Sequence, residues 1–295
     1  MFFELISDIC YLFGSLLFDF KQLHFINKMK LHTISKNFSG MKNQNLLLFI
    51  FLFITILGYS QLKPVKYKDG EQTLNGFQSI PKKTNKDKPG ILILPAWMGI
   101  DQLSKTNAQK LSDLGYYTFV ADIYGEGNYP TDMNGAAAQS SFYKKNFEQY
   151  QNRIRLALQE LIKSGANPDK IVVIGYCFGG TGAIETVRGN LPVKGVVSFH
   201  GGLGKASDRV TKDISAKVLV CHGTDDPYES LEEIKAFQNE MREAKADWQM
   251  IYYANAVHSF TNPEAGNDNS KGAAYNEKAD KRSWEHLLVF LKEIL

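Results

Sequence analysis

Cys177 stands where a chain would present a nucleophile. Residues 170–182 read KIVVIGYCFGGTG, so four apolar β-formers, Ile171, Val172, Val173 and Ile174, run into the pattern G-x-C-x-G-G and then a short helical stretch. A turn from strand to helix this tight admits only glycine beside the backbone at its flanks. It holds its central residue strained, with the side chain lifted clear. A helix starts at the same point, and its positive N-terminus favours thiolate over thiol at Cys177. Two other glycine motifs fail on particular residues. A phosphate-binding loop needs lysine where Thr181 stands, although Gly175 and Gly180 keep the spacing, and a dinucleotide fingerprint needs glycine where Cys177 stands. A glycine-rich turn around a buried structural cysteine is the plain alternative.

Cysteine in such an elbow, where most α/β-hydrolases carry serine, resembles the dienelactone hydrolase family. A nucleophile of this kind needs a base within hydrogen-bond reach and an acid to orient it, supplied in the chain order nucleophile, acid, base. Downstream, the apolar run 217–221 leads into His222-Gly223-Thr224-Asp225-Asp226-Pro227, and the next leads into Asn255-Ala256-Val257-His258. After residue 60 the histidines are His200, His222, His258 and His286. His286 lies in the last helix beside Trp284 and Leu287, as a surface or packing residue. His200 and His222 come before or at the acid position. His258 follows the last strand and is the candidate base; its plain alternative is a loop histidine bonded to backbone. The acid is Asp226 or Asp225. The resemblance implies Asp226, because the family's G-x-x-D pattern, aligned on Gly223, falls there, followed by proline. It also implies an oxyanion hole built from the backbone N–H groups of Phe178 and Trp97.

The resemblance covers residues 63–295 and breaks where the family recognises its substrate. A glutamate contacts the resting cysteine in dienelactone hydrolases, but here Ala96 occupies its place. Neither of the two carboxylate-binding arginines is present, in the stretch Asp122-Ile123-Tyr124-Gly125-Glu126 or in Ser259-Phe260-Thr261-Asn262. A neutral or weakly polar ester, thioester or lactone is therefore the expected substrate, with Glu126 repelling anions further if it faces the pocket.

The elements that must position these residues alternate regularly. A short polar hairpin over 63–81 precedes the first buried strand, 90–94. A helix capped by Asp101 runs to Leu114, and a second buried strand covers 117–122. Residues 124–146 are expected to supply a pocket lid, with Tyr129 and Pro130 near its tip and Phe142 and Tyr143 as apolar wall; the alternative is a plain surface excursion with a buried aromatic anchor. Residues 136–164 read as one long helix or two. After the elbow come strands at 193–199, 218–221 and 248–253, with helices at 230–244 and 275–295. This predicts an α/β-hydrolase fold, a mostly parallel central sheet with helices on both faces.

Composition allows one such domain in 295 residues. The formal charge of +3 is small and Lys and Glu are interspersed, so no nucleic-acid partner is expected. Cys10, Cys177 and Cys221 match no zinc spacing and no disulfide framework, and neither metal nor cofactor is expected. A Cys177–Cys221 disulfide is the rival reading.

The N-terminus carries an address. Met41-Lys42-Asn43-Gln44-Asn45 precedes an apolar run, 46–57, broken only by Thr55, with Gly58 and Ser60 before Gln61. This reads as a secretory signal peptide, too short to span a bilayer comfortably, with an uncleaved anchor as the alternative. The expected organisation is a non-native extension over 1–40, a signal peptide over 41–60 and a single hydrolase domain over 61–295. The protein is then an exported hydrolase, periplasmic or secreted. It acts on a small-molecule ester, thioester or lactone through Cys177, His258 and Asp226, without stable membrane insertion after signal cleavage, as a monomer or small homo-oligomer. The rival functions are a non-catalytic ligand-binding protein and a thiol redox protein using Cys177.

Overall fold

A computed structural model describes residues 62–295; the expected extension and signal peptide lie outside the described residues. A two-residue connection with Gly70 at φ +57° joins β1 (Lys63–Asp69) to β2 (Gln72–Ser79) as an antiparallel hairpin. β2 then pairs antiparallel with β4 (Tyr117–Val120). From β4 onward the pairing is parallel through β3 (Gly90–Leu94), β5 (Ile171–Tyr176), β6 (Gly195–Phe199), β7 (Lys217–Gly223) and β8 (Trp248–Tyr253). The sheet order is β1-β2-β4-β3-β5-β6-β7-β8. This is the expected α/β-hydrolase architecture, with its hairpin at the antiparallel edge.

The near-continuous apolar runs are explained by burial on both faces. Along β3, Leu92 and Leu94 join one core while Ile91 and Ile93 join the other, and β5 divides in the same way. The first core is closed by α3 (Phe147–Lys163), α4 (Phe178–Arg188) and α5 (Leu231–Glu243). The second is closed by α1 (Gln102–Asp113) and α6 (Glu277–Ile294). Asp101 caps α1 in a reciprocal box with Ser104, as its position implied. The long helical stretch after the second buried strand is two helices. α2 (Met133–Lys145) ends at Asn146, whose φ of −101° and ψ of 58° are non-helical, and α3 starts at the next residue. β6 starts at Gly195 rather than at 193, and α6 at Glu277 rather than at 275. Among the described residues, no helix is long and apolar enough to cross a membrane.

Candidate active site

β5 delivers the chain to Cys177 at the carboxyl end of the sheet, and α4 leaves from it. Cys177 has φ 54° and ψ −116°, a conformation that costs a non-glycine residue about 1–3 kcal/mol. The glycines around it are required by contact. A Cβ on Gly175 would overlap the Gly179 carbonyl, and a Cβ on Gly179 would overlap the Leu94 carbonyl. The strained residue is tied on both sides. Its N–H donates to the Phe199 carbonyl at 3.0 Å and lies 3.1 Å from His200 Nδ1, and its carbonyl accepts from Thr181 N at 3.1 Å.

The structure brings Cys177, His258 and Asp226 into one chain of hydrogen bonds. His258 Nε2 lies 3.0 Å from Cys177 Sγ, and His258 Nδ1 lies 2.9 Å from Asp226 Oδ2. The other Asp226 oxygen accepts from Tyr228 N at 2.9 Å, which fixes the carboxylate. Asp225 is exposed and accepts from Thr224 Oγ1, so it takes no part. The His258 loop is pinned by a second loop, with His258 N donating to the Gly272 carbonyl and Ala274 N donating to the His258 carbonyl. Burial opposes the imidazolium, but hydrogen bonds to Asp226 and Cys177 outweigh it and raise His258 far above the usual imidazole range. Burial likewise opposes the thiolate. The hydrogen bond and charge of His258, with the Phe178 amide and the Lys144 ammonium, outweigh it and hold Cys177 below the ordinary thiol value. The arrangement therefore favours a thiolate–imidazolium pair.

The two amides expected to face an oxyanion belong to residues held by tyrosine hydroxyls. Tyr124 Oη donates to the Trp97 carbonyl at 2.7 Å, within the turn closed by Gly99 N and the Ala96 carbonyl. Tyr150 Oη donates to the Phe178 carbonyl at 2.9 Å. The Phe178 ring is stacked between the two tyrosines, with centroids 5.8 Å from Tyr124 and 4.6 Å from Tyr150. Asp122 anchors Tyr124 in turn, its Oδ1 accepting from Tyr124 N and Gly125 N and its Oδ2 from Asn75 N and Tyr129 Oη.

Within the expected lid, Tyr129 is exposed but fastened to Asp122 and to Asn75. Tyr143 is buried against Tyr124, Tyr150 and Phe178, whereas Phe142 is largely exposed. Glu126 is exposed, with its backbone bonded to β2 through Thr73 and Gln72. Cys177 and Cys221 are both free, and Cys221 is buried against Tyr253 Oη on the far side of β6, so the disulfide reading does not hold. His286 bonds Tyr253 Oη at 2.8 Å, a packing role. Among the described residues, no cluster of His, Cys, Asp or Glu could hold a metal ion.

His200 is the site residue that chain order alone misses. Its Nδ1 faces the Cys177 N–H as an acceptor, so its proton is on Nε2 and donates to Thr261 Oγ1 at 2.8 Å. Burial, with the His258 charge, pushes this ring well below the usual imidazole range and keeps it neutral. Its edge lies against the His258 ring, 5.2 Å between centroids. The signal was the strand register: Tyr176 pairs with Phe199, so the residues following each are neighbours.

Comparison with known proteins identifies the family and the fold. The family model of the dienelactone hydrolase family matches residues 74–295. An uncharacterized protein of Caenorhabditis elegans is 35% identical over 128 residues, 42% of this chain and 80% of the relative. A probable 2-oxo-3-(5-oxofuran-2-ylidene)propanoate lactonase of Bradyrhizobium sp is 24% identical over 214 residues, 69% of this chain and 83% of its own. Among solved structures, a dienelactone hydrolase-like promiscuous phosphotriesterase from metagenomic libraries superposes with a TM-score of 0.74 and 33% identity. It covers 80% of this chain and 99% of its own. With the elbow, the sheet and the family match in agreement, the chain belongs to the dienelactone hydrolase family and is an α/β-hydrolase enzyme of the class that cleaves ester bonds.

Proposed function

We propose that this protein hydrolyses a neutral carboxylic ester, thioester or lactone through a Cys177–His258–Asp226 triad and a thioester acyl-enzyme. The observation that carries the reading is the unbroken chain from Cys177 Sγ through both ring nitrogens of His258 to Asp226, at a strained elbow. The Cys177 thiolate adds to the carbonyl carbon and the carbonyl electron pair moves onto oxygen, which the Phe178 and Trp97 amides receive. Collapse expels the alkoxide or thiolate of the leaving group, which takes the proton from His258 Nε2. Water then attacks the thioester as His258 removes its proton, and the second collapse releases the acid and restores the thiolate. Asp226 holds the imidazole in the orientation both halves need. Ala96 and the missing arginines support a neutral substrate, because each lost charge-assisted bond removes about 1.5–3 kcal/mol of carboxylate binding.

The test is hydrolysis of short and medium p-nitrophenyl esters by the 61–295 protein beside Cys177→Ala and His258→Ala. Both variants should lose activity by about 10³-fold or more. Wild-type protein that turns over no chain length would move a ligand-binding or thiol redox role ahead of this one.

Export completes the proposal: the apolar run after Lys42 and the small residues before Gln61 support signal cleavage there, leaving a periplasmic or secreted monomer or small homo-oligomer. N-terminal sequencing of the protein recovered outside the cytoplasm should begin near Gln61; a cytoplasmic protein retaining residues 41–60 refutes it.

A further inference from the structure

A cavity of about 880 Å³ lies one ring beyond His258, with Lys144, Thr181, Gly202, Tyr228 and Glu229 in its wall. Tyr228 connects the two, since its ring meets the His258 ring edge-on at 5.2 Å. Thr181 lies in the first turn of α4, bonded through its N–H to the Cys177 carbonyl. Several charges in the cavity wall are already matched: Glu185 is bonded by both Arg188 and Arg209. Three polar groups are not matched in this way, and they converge on Gly202.

A Cβ placed on Gly202 would lie 3.0 Å from Thr181 Oγ1, 3.2 Å from Glu229 Oε1 and 3.6 Å from Lys144 Nζ. Thr181 is 6% exposed, and its Oγ1 is buried without a hydrogen-bond partner. Glu229 spends Oε2 on the Leu203 N–H at 2.9 Å, which leaves Oε1 facing the hollow. Burial raises the Glu229 carboxyl to about 7, as expected of an acid held away from water. A buried hydroxyl left unpaired is costly, so the arrangement implies an occupant that hydrogen-bonds.

We propose that the hollow over Gly202 is a hydroxyl-binding subsite, and that the substrate is an ester or lactone whose acyl part carries a hydroxyl group. This rests on the ester-hydrolase reading above and names its substrate class. The donor–acceptor inventory selects the group. Lys144 only donates, Glu229, with its carboxyl at about 7, accepts when ionised and also donates when protonated, and Thr181 does either. A hydroxyl pairs with Glu229 in either form, donating to the carboxylate or accepting from the acid, while its remaining capacity meets Lys144 or Thr181. A carboxylate would face the Glu229 charge whenever that group is ionised, and an alkyl chain would leave Thr181 unpaired. Sites built around a substrate hydroxyl reject the analogue that lacks it.

The experiment compares kcat/KM of wild-type protein on the p-nitrophenyl esters of butyrate, 2-hydroxybutyrate and 3-hydroxybutyrate, and on the hemisuccinate. A hydroxyacyl ester should exceed butyrate by about tenfold or more, the scale of one charge-assisted hydrogen bond. That ratio should fall towards one in Thr181→Val, and in Gly202→Ala, whose new methyl group fills the hollow. Turnover of all esters without a hydroxyl preference overturns the subsite and leaves the hydrolase reading standing. A preference for hemisuccinate overturns it in favour of an anion site. If no ester turns over, the hydrolase reading fails, and titration calorimetry of butyramide against its 2- and 3-hydroxy forms reads the subsite alone. Tighter binding of a hydroxy amide supports it and equal binding overturns it.

Discussion

The proton that Cys177 gives up is held between two groups that burial alone would keep neutral. Burial disfavours both the thiolate and the imidazolium, so the imidazolium is stabilised by Asp226 and the thiolate, and the thiolate by His258, the Phe178 amide and Lys144. The signs run the same way for reactivity. The lowered cysteine keeps its thiolate to a lower pH than an ordinary thiol does, while the raised histidine keeps its proton above the ordinary imidazole value. The rate at which iodoacetamide alkylates Cys177 should therefore rise at a lower pH than that of an ordinary thiol. In His258→Ala, which lacks the cation, the rate should climb through the ordinary thiol range near about 8.5. Cys221 does not interfere, because burial pushes its thiol up to about 12. Matching pH profiles for the two proteins would refute the ion pair.

At the scale of elements, the residues of the two proposed oxyanion amides are held by a stack of rings that crosses from one loop to two helices. The loop after β4 contributes Tyr124, α3 contributes Tyr150, and Phe178 at the start of α4 lies between them. Both hydroxyls bind carbonyls of the residues whose N–H groups are in question, so each tyrosine holds the peptide that follows the expected oxyanion amide as well as filling space. Tyr124→Phe keeps the ring and removes only the bond to Trp97. It should lower kcat by about 10- to 100-fold, somewhat less than outright loss of an oxyanion donor. KM and the alkylation rate of Cys177 should stay near wild type, because neither needs the oxyanion. An unchanged kcat would show that the Trp97 peptide needs no such support.

Across the whole molecule, the two sheet faces supply the apolar core, and one buried ionic cluster ties its elements together. Arg188 at the end of α4 binds Glu240 of α5 at 2.9 and 2.7 Å, Glu185 at 3.0 Å, and the Leu203 and Gly204 carbonyls after β6. Burial works against the Glu185 charge, but Arg209 and Arg188 hold its carboxyl below the usual carboxylate range. Removing one partner strands the others away from water. Arg188→Met should cost about 3–5 kcal/mol of stability in urea unfolding. A loss below about 1 kcal/mol would mean that the carboxylates find water or other cations instead. The cluster also walls the cavity beyond His258, so it links the stability of the fold to the shape of the pocket.

What could be read in the chain was what local sterics and periodicity decide. The elbow was legible because the backbone at Gly175 and Gly179 approaches other backbone too closely for any side chain. The sheet was legible because strands buried on both faces are apolar throughout. The order of Cys177, the Asp225–Asp226 pair and His258 along the chain followed from the same reasoning. Which aspartate meets His258 did not, since adjacent residues differ only in direction, and the turn sends Asp226 inward and Asp225 to solvent. Nor did His200, which reaches Cys177 only through the register of β5 with β6, or Tyr124 and Tyr150, which lie 27 and 28 residues from the carbonyls they hold. The hollow over Gly202 has the same origin. It joins a helix residue, two loops and a side chain from α2 that no short-range pattern connects. Spacing along the chain fixes what its immediate neighbours can do, whereas the closing of a site depends on contacts that exist only once the sheet has assembled.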